Sequence, residues 1–229
     1  MNIIICTIKS WNIKEAYHFK EEYESKHNIM IISNKNDLDY EKLQLFKPDY
    51  IFFPHWSYII PDNICDSWNC IVFHMTDLPF GRGGSPLQNL IVRNINETKI
   101  SALKVSNILD GGPVYLKENL NLNGTAEEIY IRASKIIFHV MIPKIINSNI
   151  APLEQSGEIV TFNRRTAEDS LIGCNMNLEQ IFDYIRMLDG EGYPKAYIQF
   201  GKYRLEFSRA SLKHDSIIAD VKIVEDNNE

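Results

Sequence analysis

No stretch of this sequence approaches the roughly 20 consecutive apolar residues that a membrane-spanning helix requires, so no membrane partner is expected. The opening Met1-Asn2-Ile3-Ile4-Ile5-Cys6 is too short for a signal peptide and runs quickly into charged residues, so it reads as a first strand of a cytoplasmic protein. Cysteine is scarce. Cys6, Cys65, Cys70 and Cys174 form no C-x-x-C pair and no zinc spacing, which predicts reduced thiols and no structural metal. No G-x-G-x-x-G follows the first strand, where Cys6-Thr7-Ile8-Lys9-Ser10 stands instead. Dinucleotide binding is therefore unsupported. Basic charge is short as well, with 24 Lys and Arg against 30 Asp and Glu, a net charge of −6. Because neutralising phosphates needs a basic footprint, no nucleic-acid partner is expected. Tandem repeats and low-complexity tracts are missing.

What the chain does have is the composition of an ordinary globular protein. It is 45% hydrophobic and 24% charged over 229 residues, enough for a real core and for one large domain or a domain with a small appendage. Asn28–Ile32 and 48–54 read as strands separated by helical patterns at 12–26 and Tyr40–Phe46. Such alternation predicts an α/β, Rossmann-like core with a mostly parallel sheet. Thr125-Ala126-Glu127-Glu128 is a capping box opening a long amphipathic helix that Pro143 is expected to kink or end. This helix closes an expected catalytic domain, residues 1–149. Beyond it the composition shifts to a short strand, a helix from Asn177 to Leu188 and three strand-like segments. These predict a small C-terminal mixed or β appendage, residues 150–229, for substrate contacts or oligomerisation, with a homodimer one arrangement the reading admits. The tail from Glu225 to Glu229 is expected to fray.

One stretch organises the rest. The apolar strand Cys70-Ile71-Val72-Phe73 runs into His74-Met75-Thr76-Asp77-Leu78-Pro79-Phe80-Gly81-Arg82-Gly83-Gly84-Ser85-Pro86. A histidine at the carboxyl end of a strand, followed by a glycine- and proline-rich loop, lies where an open α/β sheet places its chemistry. Ser85 and Pro86 suit the cap and first turn of a following helix. Downstream, Ile108-Leu109-Asp110-Gly111-Gly112-Pro113 reads as a turn between two strands with a carboxylate at its mouth, 36 residues after His74 (110 − 74). Upstream, Pro54-His55-Trp56-Ser57-Tyr58-Ile59-Ile60-Pro61 ends the third strand with aromatics suited either to a flat heterocycle or to roofing the sheet.

FHMTDLPFGRGGSP followed by ILDGGPVY resembles the folate-dependent formyltransferases, whose strand-end N-x-H, S-L-L-P, R-G-x-x-P and L-D-x-G motifs fall at this separation. The resemblance implies catalytic roles for His74 and Asp110, with 10-formyltetrahydrofolate as formyl donor. It places the folate against Trp56, Ser57, Tyr58, Ile60 and Asn107, and the acceptor against Thr76, Arg82 and Gly83. One departure matters: the family's asparagine two residues before the histidine falls on Val72. An oxyanion must then be held by protonated His74, a backbone N–H, Thr76 or Asn107. FNRRTAEDS (162–170) and YIRMLD with YPKA (184–196) resemble segments of amino-sugar N-formyltransferases. Residues from about 50 to 210 carry the likeness.

The acceptor implied by that branch is a small molecule, a UDP- or dTDP-linked 4-amino-4,6-dideoxy sugar formylated for surface glycans. Arg164 and Arg165 could anchor its pyrophosphate or form salt bridges within their loop, and Tyr193 could stack on a base or fill a packing slot. The alternatives are another amine acceptor, such as glycinamide ribonucleotide or a carrier-bound amino acid, and a folate- or sugar-nucleotide-binding module without catalysis.

Overall fold

A computed structural model describes residues 1–225; the expectation for the tail beyond Glu225 lies outside the described residues. In chain order the elements are β1 (Asn2–Cys6), α1 (Ser10–Tyr23), β2 (Asn28–Ile32), α2 (Tyr40–Phe46), β3 (Tyr50–Phe53), α3 (Asp62–Ser67), β4 (Cys70–His74), β5 (Phe80–Gly83) and α4 (Pro86–Ile91). They continue as β6 (Glu97–Lys104), β7 (Val114–Asn121), α5 (Ala126–Ile136), α6 (Ile142–Ser148), β8 (Val160–Phe162), α7 (Leu178–Arg186), β9 (Ala196–Phe200), β10 (Tyr203–Leu212) and β11 (Ile217–Glu225). Two compact units are assembled from non-contiguous stretches: Met1–Gly83, Thr98–Leu120 and Ile131–Thr161 in the first, and Gly84–Glu97, Asn121–Tyr130 and everything from Phe162 in the second.

The first unit holds a six-stranded sheet of order β2-β1-β3-β4-β6-β7. β2, β1, β3 and β4 run parallel, and β6 lies antiparallel to β4. The α/β core with a mostly parallel sheet is therefore as the sequence predicts. Ile3, Ile4 and Ile5 are wholly buried in β1, an interior strand of the sheet, and form the continuous apolar run of a strand covered on both faces. β3 and β4 lie next to one another with Phe53 opposite Val72, so the chain that leaves β3 at Pro54 and the chain that leaves β4 at His74 emerge at the same sheet edge.

The helix from the capping box differs from its expected course. Thr125 and Glu128 do exchange their bonds, Glu128 N–H to Thr125 Oγ1 at 3.3 Å and Thr125 N–H to Glu128 Oε2 at 2.8 Å. α5 then gives way at Ile136 to a π-helical turn, Ile137–Met141, and resumes as α6 with Pro143 in its first turn. Proline has no N–H to give the carbonyl four residues back, so the widened turn lets the helical path pass Pro143 and reach Ser148. Ser85 does not cap α4: its backbone is left-handed, its side chain makes no cap bond, and its Oγ instead accepts the Arg165 N–H at 3.1 Å.

The second unit carries the antiparallel sheet β11-β10-β9 with α7 packed on β10, the small β appendage read from the sequence. Asn177 and Gln180 form the capping box that starts α7. At its centre Tyr130 stacks on Tyr193 with ring centroids 5.3 Å apart, and Gln88 Nε2 donates to Met187 O at 3.0 Å. Burial, and next the neighbouring Tyr193, push the Tyr130 phenol well above its ordinary value. The unfolded phenol ionises near pH 10 while the folded one stays protonated, so stability falls as pH rises through that value. Tyr130→Phe is expected to flatten this alkaline limb, read as unfolding midpoint against pH. An unchanged limb would show that Tyr130 does not set it.

Candidate active site

The site is built where β4 ends. His74, 8% exposed, donates from Nε2 to the carbonyl of Gly81 at 2.7 Å, and its Nδ1 lies 3.6 Å from Asp110 Oδ2. Gly81 can serve this way because the loop doubles back after the cis Leu78–Pro79 peptide and enters β5 with Gly81 at φ +76°. Two hydrogen bonds hold the doubled-back loop: Ser101 Oγ donates to Thr76 O at 2.7 Å and accepts the Leu78 N–H at 3.3 Å. Lys99 and Lys117 both reach Asp77, at 2.9 and 2.5 Å, and Lys117 also donates to Leu78 O. Partial burial raises the Asp77 carboxyl, but the two lysines outweigh it and hold the group below the usual carboxylate range.

Asp110 sits at φ +51° in the turn between β6 and β7, a left-handed conformation that Asp tolerates better than most side chains. Its Oδ2 accepts the Gly83 N–H at 2.9 Å. The turn is then clamped from a distant stretch. Gln155 Nε2 donates to Asp110 O and to Gly112 O, both at 2.8 Å, and its Oε1 accepts from Arg82 Nε at 3.1 Å and Nη2 at 2.7 Å. Gln155 was not among the expected site residues. It lies in an irregular segment without periodicity or motif, so nothing local in the sequence marks it.

His74, Asp110, Arg82, Gly83 and Thr76 are thus brought together in the first unit, although not all face outward. Thr76 is wholly buried, its hydroxyl donating weakly to the same Gly81 carbonyl at 3.4 Å. Val72 sits half-buried against the core cluster around Ile51 and Cys70, on the strand face shared with His74. Asn107 is exposed in the β6–β7 turn.

Trp56, Ser57, Tyr58 and Ile60 follow β3, whose carboxyl end adjoins that of β4. Trp56 and Tyr58 meet edge to face at 5.3 Å, Lys35 Nζ lies 5.3 Å from the Tyr58 ring, and Ile60 rests on the core. Trp56 Nε1 is buried without a hydrogen-bond partner. Partly exposed aromatics at the end of a strand suit a flat ligand.

The remaining expected contacts lie in the second unit. Arg165 donates to Asp169 O and sits over Tyr184 with its Cζ 5.4 Å from the ring centroid. Asp169 accepts the Thr166 N–H at 2.7 Å. That bond, above all, holds its carboxyl below the usual range. Arg164 is exposed, with its backbone pressed so close to Gly84 that a Cβ there would lie 2.5 Å from Arg164 Cβ. Tyr193 fills the slot on Tyr130. Among the described residues no group of three or more His, Cys, Asp or Glu could hold a metal ion, and no helix is long and apolar enough to cross a membrane.

His74 and Asp110 thus face one another where β4 ends, next to the aromatic loop that follows β3. A family model described as the C-terminal domain of methionyl-tRNA formyltransferase matches residues 167–224. The chain is 25% identical over 197 residues to a methionyl-tRNA formyltransferase of Ehrlichia canis, covering 83% of this chain and 63% of that protein. It is 61% identical to the solved structure of a methionyl-tRNA formyltransferase from Clostridium thermocellum, with a TM-score of 0.97 and coverage of 98% of this chain and 99% of that one. HypX from Aquifex aeolicus in complex with tetrahydrofolic acid shares the fold at 16% identity and a TM-score of 0.74, over 91% of this chain and 37% of that one. The chain belongs to the formyltransferases, an enzyme family, and spans about 63% of the length of the curated relative from Ehrlichia.

These findings correct the expected branch. The relatives named for methionyl-tRNA overturn the nucleotide-linked amino sugar, the glycan pathway and the exclusion of nucleic acid. Two physical reasons account for the miss. Net charge sums the whole chain and is silent on local patches. The FNRRTAEDS likeness reports, at least at Arg165, Thr166 and Asp169, a loop tied to itself by hydrogen bonds, which carries no information about an acceptor.

Proposed function

We propose that this chain transfers the formyl group of 10-formyltetrahydrofolate to the α-amino group of methionyl-tRNA. The observation that carries the proposal is the His74–Asp110 pair at the end of β4, in a chain similar almost throughout to a protein named for that acceptor. The donor supplies a formyl carbon held on a nitrogen that can leave once protonated. Because Gly81 O can only accept, His74 carries its proton on Nε2, and Nδ1 is the atom left to take one up. At 3.6 Å, Asp110 is too far for a direct hydrogen bond but near enough to stabilise the charged ring that results. His74 would thus take a proton from the attacking amine and return it to the leaving nitrogen, the role of a general acid–base near neutral pH.

Arg82 and Gly83 act on this reading chiefly by fixing Asp110, through Gln155 and through the Gly83 N–H. With an apolar side chain at Val72 and the Thr76 hydroxyl buried, the groups left for an oxyanion are a backbone N–H, Asn107 and protonated His74. Trp56, Tyr58 and Ile60, with Ser57 between them, are the residues assigned to the folate wall.

The test is formylation of enzymatically charged methionyl-tRNA with 10-formyltetrahydrofolate, followed by ester hydrolysis and mass analysis of the released amino acid. N-formylmethionine is the expected product. Folate binding without that product would overturn the acceptor, and no folate binding would overturn the reaction as well.

A further inference from the structure

Between α6 and the start of β8, still within the first unit, the chain passes over both loops of the site. Leu153 pairs with Val114 at the start of β7, its N–H donating to Val114 O at 2.9 Å and its carbonyl accepting the Val114 N–H at 2.7 Å. Val160 N–H then donates at 3.3 Å to Pro79 O, in the loop that follows His74. The chain bends between these two anchors at Gly157, whose φ of +116° most side chains avoid. From Leu153 to Ile159 every residue is exposed except Gln155, which is half-buried. Its side chain turns in onto Asp110 O, Gly112 O and Arg82.

We propose that residues 153–160 form a strap that sets the Asp110 turn against the His74 loop, with Gln155 as a positioning residue for the proton transfer. The proposal rests on the reading of His74 and Asp110 as the acid–base pair. At 3.6 Å, His74 Nδ1 is too far away to hold the carboxylate by a hydrogen bond. The carboxylate is therefore aimed from its other side. Gly83 N–H holds Asp110 Oδ2 at 2.9 Å, and the neighbouring Arg82 is held by Gln155 Oε1, whose own Nε2 returns to the Asp110 carbonyl. This ring of bonds closes on Asp110 from both its side chain and its backbone. The amide cannot be turned round within it, since a flipped oxygen would face two carbonyls and the NH2 group a guanidinium.

Gln155→Ala is expected to fold, because the residue lies in an otherwise exposed stretch, and to release the turn. Exchange of the Gly83 amide, followed by NMR in the free protein, should quicken roughly tenfold or more, while the amides of β1 keep their rates. That measurement needs no substrate and holds whatever the acceptor. In turnover with 10-formyltetrahydrofolate and methionyl-tRNA, kcat should fall at least about tenfold with little change in the donor KM. The acid limb of kcat against pH should move to lower pH, because an imidazolium that loses its facing carboxylate gives up its proton more readily. Added to Asp110→Asn, Gln155→Ala should cost little more, as expected of two changes acting through one group. Gln155→Glu keeps a partner for Arg82 but sets a carboxylate against two carbonyls, so it should reproduce every effect of Gln155→Ala and decides the matter if that variant misfolds. Unchanged exchange at Gly83 would overturn the strap. Quickened exchange with unaltered kcat and pH profile, or a loss fully additive with Asp110→Asn, would overturn the positioning role. Failure of the unaltered chain to form product would count against the reaction on which that role rests, with the strap still decided by exchange.

Discussion

His74→Asn is expected to lower turnover by roughly 10²–10⁴-fold, the span that removal of a positioned acid–base group produces, while folate binding is retained. The side chain is nearly buried and both ring nitrogens face acceptors, Gly81 O at 2.7 Å and Asp110 Oδ2 at 3.6 Å. Thr76 Oγ1, which shares the Gly81 carbonyl at 3.4 Å, is wholly buried and does not take over the proton. The proposed folate wall follows β3 and does not include His74, so tetrahydrofolate affinity, measured by calorimetry, should change little. Asp110→Asn should cost less, because the amide oxygen can still accept the Gly83 N–H and keep the turn closed. Turnover of His74→Asn near that of the unaltered chain would remove the histidine from the chemistry. A variant that loses folate binding as well would show that the residue shapes the pocket.

The fold was legible where local chemistry and tertiary packing agree. Isoleucine runs mark β1 and β2, two capping boxes mark α5 and α7, and a histidine after CIVF marks the end of a strand. It was less legible where the backbone bends for reasons held elsewhere. β5 is a strand made of Phe80-Gly81-Arg82-Gly83, a composition that reads as loop, and its shape depends on a carbonyl turned toward His74. Gln155 clamps Asp110 from a segment with no periodicity. The acceptor was least legible. The sequence leaves Arg165 and Tyr193 open between ligand contact and structural group, and both are engaged by neighbours inside their own unit.

Gly112→Ala is expected to lower both stability and activity, and the reason is a single close approach. A Cβ at Gly112 would lie 1.8 Å from the carbonyl oxygen of Lys104 and 3.0 Å from its carbonyl carbon. The obstacle is backbone of β6, which also accommodates the hydrogen bond from Lys104 N–H to Pro113 O at 2.9 Å, so neither strand can give way without opening the hairpin. Overpacking of this kind costs roughly 3 kcal/mol, about 6–12 °C in Tm for a chain of this size. Because Gln155 grips the turn through Gly112 O as well as Asp110 O, a displaced Gly112 also loosens the carboxylate facing His74. Turnover should therefore fall even at temperatures where the variant stays folded. Gly173→Ala supplies the comparison: its Cβ would meet nothing nearer than Met176 Cε at 3.7 Å, an ordinary contact, and it should leave Tm and turnover close to their starting values. If Gly112→Ala matched it in both, the β6–β7 turn would be looser than these distances require, and Asp110 would not owe its position to that turn.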